Sequence, residues 1–79
     1  MSERCFDLEL DATGLMCPEP VMMLHNRIHD VPVDGVLKVV ATDPSTTRDV
    51  PRFCQFLNHV LIDEQHTDTL FVYFIRRGQ

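Results

Sequence analysis

The amino-acid sequence predicts an α/β (α+β) two-layer sandwich, with elements in the order β-α-β-α-β-β, a mixed four-stranded sheet, and two helices on one face of it. Three observations carry this. Residues 6–11 alternate apolar and acidic side chains and residues 36–41 are rich in β-branched ones, the patterns of a half-buried strand and a strand. Two apolar stripes recur at helical spacing: Val21, Leu24, Ile28, and then Val50, Phe53, Cys54, Leu57. A polar cluster at residues 66–69 separates the last two apolar runs, as a hairpin turn does. A helix joining two neighbouring strands favours parallel, right-handed pairing. The closing hairpin is antiparallel, and two helices of this size cover one face of four strands.

In chain order, Phe6, Leu8 and Leu10 are predicted to face inward from the first strand, with Asp7, Glu9 and Asp11 on a solvated side. Residues 12–16 read as a loop in which Gly14 is free to take positive φ. The first helix is predicted over residues 18–29, stopped by Pro32 and Gly35. After the strand at 36–41, Asp43-Pro44-Ser45 supplies helix-start chemistry for a second helix over residues 46–58. Pro51 either lies in its first turn or bends it. Strands follow at 60–65 and 70–76. On the last strand, Phe71, Tyr73 and Ile75 are assigned to the helix side. Phe74 and Val72, with Val36 and Val40, are then left on an uncovered face that is a candidate docking surface.

Seventy-nine residues predict one domain, 1–79, with a compact core. No apolar run approaches the roughly 20 residues of a membrane span. The N-terminal residues lack a basic segment followed by an apolar stretch, so a cytoplasmic location is expected. A net charge of −5 argues against a grip on nucleic-acid phosphates and for a basic partner protein. Three cysteines (Cys5, Cys17, Cys54) without a C-x-x-C spacing fit reduced thiols better than a disulfide framework or a zinc site. His25 and His29 stand at i, i+4, but no further ligand cluster accompanies them, so no metal and no organic cofactor are expected.

The most informative stretch is Gly14-Leu15-Met16-Cys17-Pro18-Glu19-Pro20. Proline suits the first helical position, so Pro18 is predicted there and Cys17 at the N-cap. Pro18 and Pro20 have no N–H. The Glu19 N–H is then the nearest free donor to the Cys17 sulfur and, with the positive end of the helix dipole, would favour a thiolate. Cys54, between Phe53 and Phe56, reads as a buried hydrophobe, and Cys5 as incidental. His25, too far along the helix to act as a base for Cys17, argues against a Cys–His hydrolase. Met22 and Met23 suit either a surface that adapts to several partners or gap-filling in the core.

These residues resemble the TusA/SirA sulfur carriers. Leu10-Asp11-Ala12, Gly14-Leu15 and the Cys17-Pro18-x-Pro20 motif carry the likeness, which continues through Val21-Met22-Met23. It resumes at Asp43-Pro44-Ser45-Thr46-Thr47-Arg48-Asp49-Val50-Pro51 and Phe53-Cys54, and closes with Tyr73-Phe74-Ile75-Arg76. The second-helix segment looks most like the TusA branch. Where such carriers often have a basic residue before the cysteine, this chain has Met16. After the methionine pair it has His25 and Asn26, with Arg27 following.

The resemblance implies a monomeric carrier rather than a stand-alone turnover enzyme. Cys17 would bear the persulfide, with Pro18, Glu19 and Pro20 supporting it. Met22, Arg27, Asp43, Arg48 and Phe56 would contact partners. Sulfur would come from an IscS-like cysteine desulfurase and pass to a TusBCD-like complex, then through TusE and a thiouridylase to the wobble uridine of tRNA, without direct nucleic-acid binding by this chain. Two other readings stand beside it: a paralogous sulfur or selenium carrier for other pathways such as molybdenum cofactor synthesis, and a regulatory binding module in which Cys17 is only structural.

Overall fold

The computed structural model describes residues 5–79, so the reading of the first four residues lies outside it. Its elements are β1 (Leu8–Ala12), α1 (Glu19–Arg27) running on into a 3-10 turn (Ile28–Asp30), β2 (Val36–Ala41), α2 (Thr46–Leu57), β3 (Val60–His66) and β4 (Phe71–Arg76). The strand order is β1-β2-β4-β3. β1 and β2 are parallel, and β4 pairs antiparallel with both β2 and β3. This is the predicted mixed sheet with both helices contributing to one core.

That core follows the two stripes. Leu24 and Ile28 from α1, and Val50, Phe53 and Cys54 from α2, meet Leu10, Leu37, Val39, Tyr73 and Ile75 of the sheet. Fully burying one such side chain stabilises by roughly 1.5–3 kcal/mol. The polar end of Tyr73 finds the Thr46 hydroxyl at 2.8 Å, so it is buried without an orphaned O–H. α2 ends on Asn58 in the left-handed region (φ 63°). Pro51 lies inside α2, beyond its first turn, and cannot donate to the carbonyl four residues back.

The outer face of the sheet departs from expectation. Phe74 does point away from the helices, being paired with Lys38 on β2, yet it is fully buried. Phe6 does not face the helix-side core; it lies before β1 with its ring 6.4 Å from that of Phe74. The Lys38 ammonium sits 5.2 Å from the Phe6 ring centre and 6.0 Å from that of Phe74. A cation and an aromatic ring cover Phe74, and Val36, Val40 and Val72 are half-buried. The face is not the open apolar patch that alternation alone suggested.

Candidate functional site

Parallel pairing of β1 and β2 brings their C-terminal ends, and the loops that follow them, to the same edge of the sheet. Two hydrogen bonds tie these loops together. The Gly14 N–H donates to Thr42 Oγ1 at 2.9 Å, and the Cys17 N–H donates to Asp43 Oδ2 at 2.6 Å. Gly14 has the positive φ (82°) its loop requires.

The start of α1 is shifted one residue from the predicted place. Pro18, not Cys17, is the N-cap, and its carbonyl accepts from the Met22 N–H at 3.2 Å. The Glu19 N–H turns back to the Met16 carbonyl at 2.9 Å. It therefore is not the donor to the Cys17 sulfur that the sequence suggested; that tight turn consumes it. The Cys17–Pro18 peptide bond is cis. Cys17 and Pro18 are exposed, whereas Pro20 is buried beneath them.

Asp43 has an internal role. Besides Cys17, it accepts from the Ser45 N–H (3.0 Å) and the Ser45 hydroxyl (2.7 Å). These bonds, the Ser45 backbone first, hold its carboxyl below the usual aspartate range, with the Cys17 N–H helping. A depressed carboxyl keeps its contribution at all pH values above its ordinary range and loses it as pH falls through the folded value. The Ser45 amide resonance, whose N–H the same carboxylate accepts, is accordingly expected to hold its position from about pH 8 to about pH 5 and to move only in stronger acid. A large shift near neutrality in an NMR titration would contradict the bond.

Arg48 lies beside this cluster. Its guanidinium is held above its ordinary value, first by a hydrogen bond to Asp49 (3.0 Å), with further support from negative charge at Cys17 and Asp43. The site thus sets one cation against the thiol and the carboxylate that fixes it. No hydrogen-bond partner reaches the Cys17 sulfur among the described residues.

Cys17 opens onto a groove of about 710 Å³ between the helices. α1 contributes Pro18, Val21 and His25; α2 contributes Asp49, Arg52, Phe53 and Phe56, with Gln55 and Leu57 at its edge. The lining is mostly apolar, and Phe56 is 86% exposed. The His25 ring stands edge-on to Phe53 at 4.9 Å, and His59 stacks on Phe53 at 5.4 Å. His59 is pushed below its ordinary value, chiefly by burial, then by Arg77, His29 and His25. Among the described residues, no three His, Cys, Asp or Glu side chains gather as metal ligands.

Of the expected partner residues, Phe56 shares the groove with Cys17 and Arg48 is in electrostatic reach of it. Met22 lines a smaller depression of about 250 Å³ with Leu15, Glu19, Met23 and Asn26. Arg27 is not brought to the thiol. It pairs with Asp30 at 2.8 Å at the other end of α1, about 12 Å along the axis from Glu19. Sequence reasoning set His25 aside as too far along the helix to serve Cys17 as a base and missed Arg52; both line the groove. The signal was present in α2, where Asp49, Arg52, Phe53 and Phe56 recur at i, i+3, i+4, i+7.

The other two thiols differ from Cys17. Cys54 is buried in the core and burial pushes its thiol up to about 12. Cys5 is exposed, ahead of β1.

The architecture is that of the SirA-like domains. A solved SirA-like protein from Desulfitobacterium hafniense superposes with a TM-score of 0.78 over 92% of this chain and 100% of its own, at 17% sequence identity, which establishes the shared fold. The sequence is more specific. Residues 8–77 match the family described as Sulfurtransferase TusA, and the chain belongs to that family. It is 61% identical over 71 residues to the sulfur carrier protein TusA of Pseudomonas syringae pv. syringae, covering 90% of this chain and 84% of that protein. It is also 61% identical over 76 residues to the protein of the same name from Pseudomonas fluorescens, covering 96% and 92%.

Proposed function

We propose that this chain, acting as one monomeric carrier domain over residues 1–79 in the cytoplasm, transports sulfane sulfur as a persulfide on Cys17. The observation that carries the reading is the presentation of that thiol: solvent-facing, held through its own N–H by Asp43, and opening onto an apolar groove. The names of its relatives point the same way.

The chemistry balances without a metal or an organic cofactor. The Cys17 thiolate attacks the terminal sulfur of a donor persulfide, the donor S–S bond breaks, and the donor leaves as a thiolate. Cys17 now bears the persulfide. An acceptor thiolate then attacks its terminal sulfur and Cys17 departs as the thiolate. Both steps are thiol–disulfide-type exchanges, whose rates depend on the thiolate fraction of the attacker and on the leaving group. An IscS-like cysteine desulfurase is the proposed donor and a TusBCD-like complex the proposed acceptor, on the route to 2-thiolated wobble uridine in tRNA.

Incubation with a cysteine desulfurase and sulfur-labelled cysteine, followed by non-reducing peptide mapping, tests this. Label is expected on the peptide containing Cys17. Label spread over Cys5 and Cys54, or none at all, would count against the proposal.

A further inference from the structure

Each described cation but one has a partner. Arg27, Arg48 and Arg76 pair with Asp30, Asp49 and Asp34. Arg77 donates to the Val31 carbonyl, and Lys38 lies over Phe6. Among the described lysines and arginines, Arg52 alone has no ion pair, hydrogen bond or ring contact. It is exposed on the wall of the groove that opens at Cys17. One turn further along α2 stands Phe56, the most exposed large apolar side chain described. In a chain of net charge −5, this guanidinium is a local positive charge beside an exposed ring and a groove.

We propose that this groove seats an extended, cysteine-bearing segment of a sulfur-exchanging partner protein, with a carboxylate of that segment on Arg52 and a large apolar side chain against Phe53 and Phe56. The proposal rests on the persulfide-carrier reading above. Its geometry is consistent. Arg52 and Phe56 are about 6 Å apart along the helix, and two residues of extended chain span about 6.6 Å. From Glu19 to His25 is about 9 Å along α1, so roughly three extended residues run the groove and deliver a cysteine to Cys17. Asp49 pairs with Arg48 and makes no ion pair with Arg52. The overall negative charge still favours a basic partner at long range; the groove asks for one local carboxylate within it. That same charge disfavours the alternative occupant, an RNA strand with its phosphate on Arg52 and a base on Phe56.

The test uses short peptides whose cysteine carries an aryl thiolate in disulfide linkage, followed within four residues by Glu and Phe in either order. Cys17 attacks the peptide sulfur, the mixed disulfide forms, and the released aryl thiolate is read by absorbance. The Glu peptide is expected to react about three- to tenfold faster than its Gln counterpart at low salt, with the ratio shrinking as salt rises. In Arg52→Gln the ratio should fall to one. In Phe56→Ala the preference for Phe over Ala in the peptide should disappear.

A Glu/Gln ratio of one in the unaltered protein, or a ratio that survives Arg52→Gln, overturns the proposal. So does a short single-stranded oligoribonucleotide that shifts the amide signals of Arg52 and Phe56 where the peptide does not. Desulfurase loading, measured on the same preparation, separates the two readings. Loading with a flat peptide ratio removes the groove and keeps the carrier. Discrimination without loading does the reverse.

Discussion

Cys17→Ser is expected to abolish uptake of labelled sulfur from a cysteine desulfurase, whereas Cys5→Ser and Cys54→Ala should load to the level of the unaltered chain. Serine keeps the shape of the residue and its N–H bond to Asp43 but has no sulfur on which to carry a persulfide. Cys54 cannot substitute. Its thiol lies within the core, and burial pushes it up to about 12, which disfavours the nucleophilic thiolate. Alanine removes that sulfur without burying a new hydroxyl. A thiol reagent applied to the native protein gives an independent check: Cys17 should be modified quickly, and Cys54 only when the chain opens. Equal rates at the two would support a merely structural Cys17. Full loading of the Cys17→Ser chain would remove the proposed mechanism altogether.

The legible parts of this molecule were those set by local pattern. The β-branched run at Val36–Ala41 is a strand from end to end, and the stripe of Val50, Phe53 and Cys54 faces the core as its spacing requires. The Cys-Pro-x-Pro stretch marked the start of α1 to within a residue. Its one-residue error had a local cause: the Glu19 N–H satisfies the Met16 carbonyl, which moves the cap to Pro18. What was hidden depended on tertiary meetings. The groove exists because α1 and α2 lie side by side, and neither helix alone shows that His25 and Arg52 line the same groove. Asp43 could be recognised as a turn residue, but its bond to Cys17 spans 26 positions and arises from the parallel pairing of β1 and β2.

Phe74 shows the same limit and leads to the largest expected effect on stability. Alternation correctly placed it on the side away from the helices; it could not reveal that Phe6, outside the strand, and the stem of Lys38 would close over it. A ring with no exposure behaves as core whichever side of the sheet it occupies. Truncating such a ring to alanine costs about 3–5 kcal/mol, and a chain of this size has only about 4–12 kcal/mol in total. Phe74→Ala should therefore shift the urea midpoint far down or leave the chain largely unfolded at room temperature. Phe74→Leu, which keeps most of the apolar volume, should fold. Phe56→Ala provides the contrast, since that ring is 86% exposed and its loss should change stability by no more than about 0.5 kcal/mol. If Phe74→Ala instead proves as harmless as Phe56→Ala, the cover of Phe6 and Lys38 is not present in solution. The outer face of the sheet would then return as an open apolar surface available to a partner.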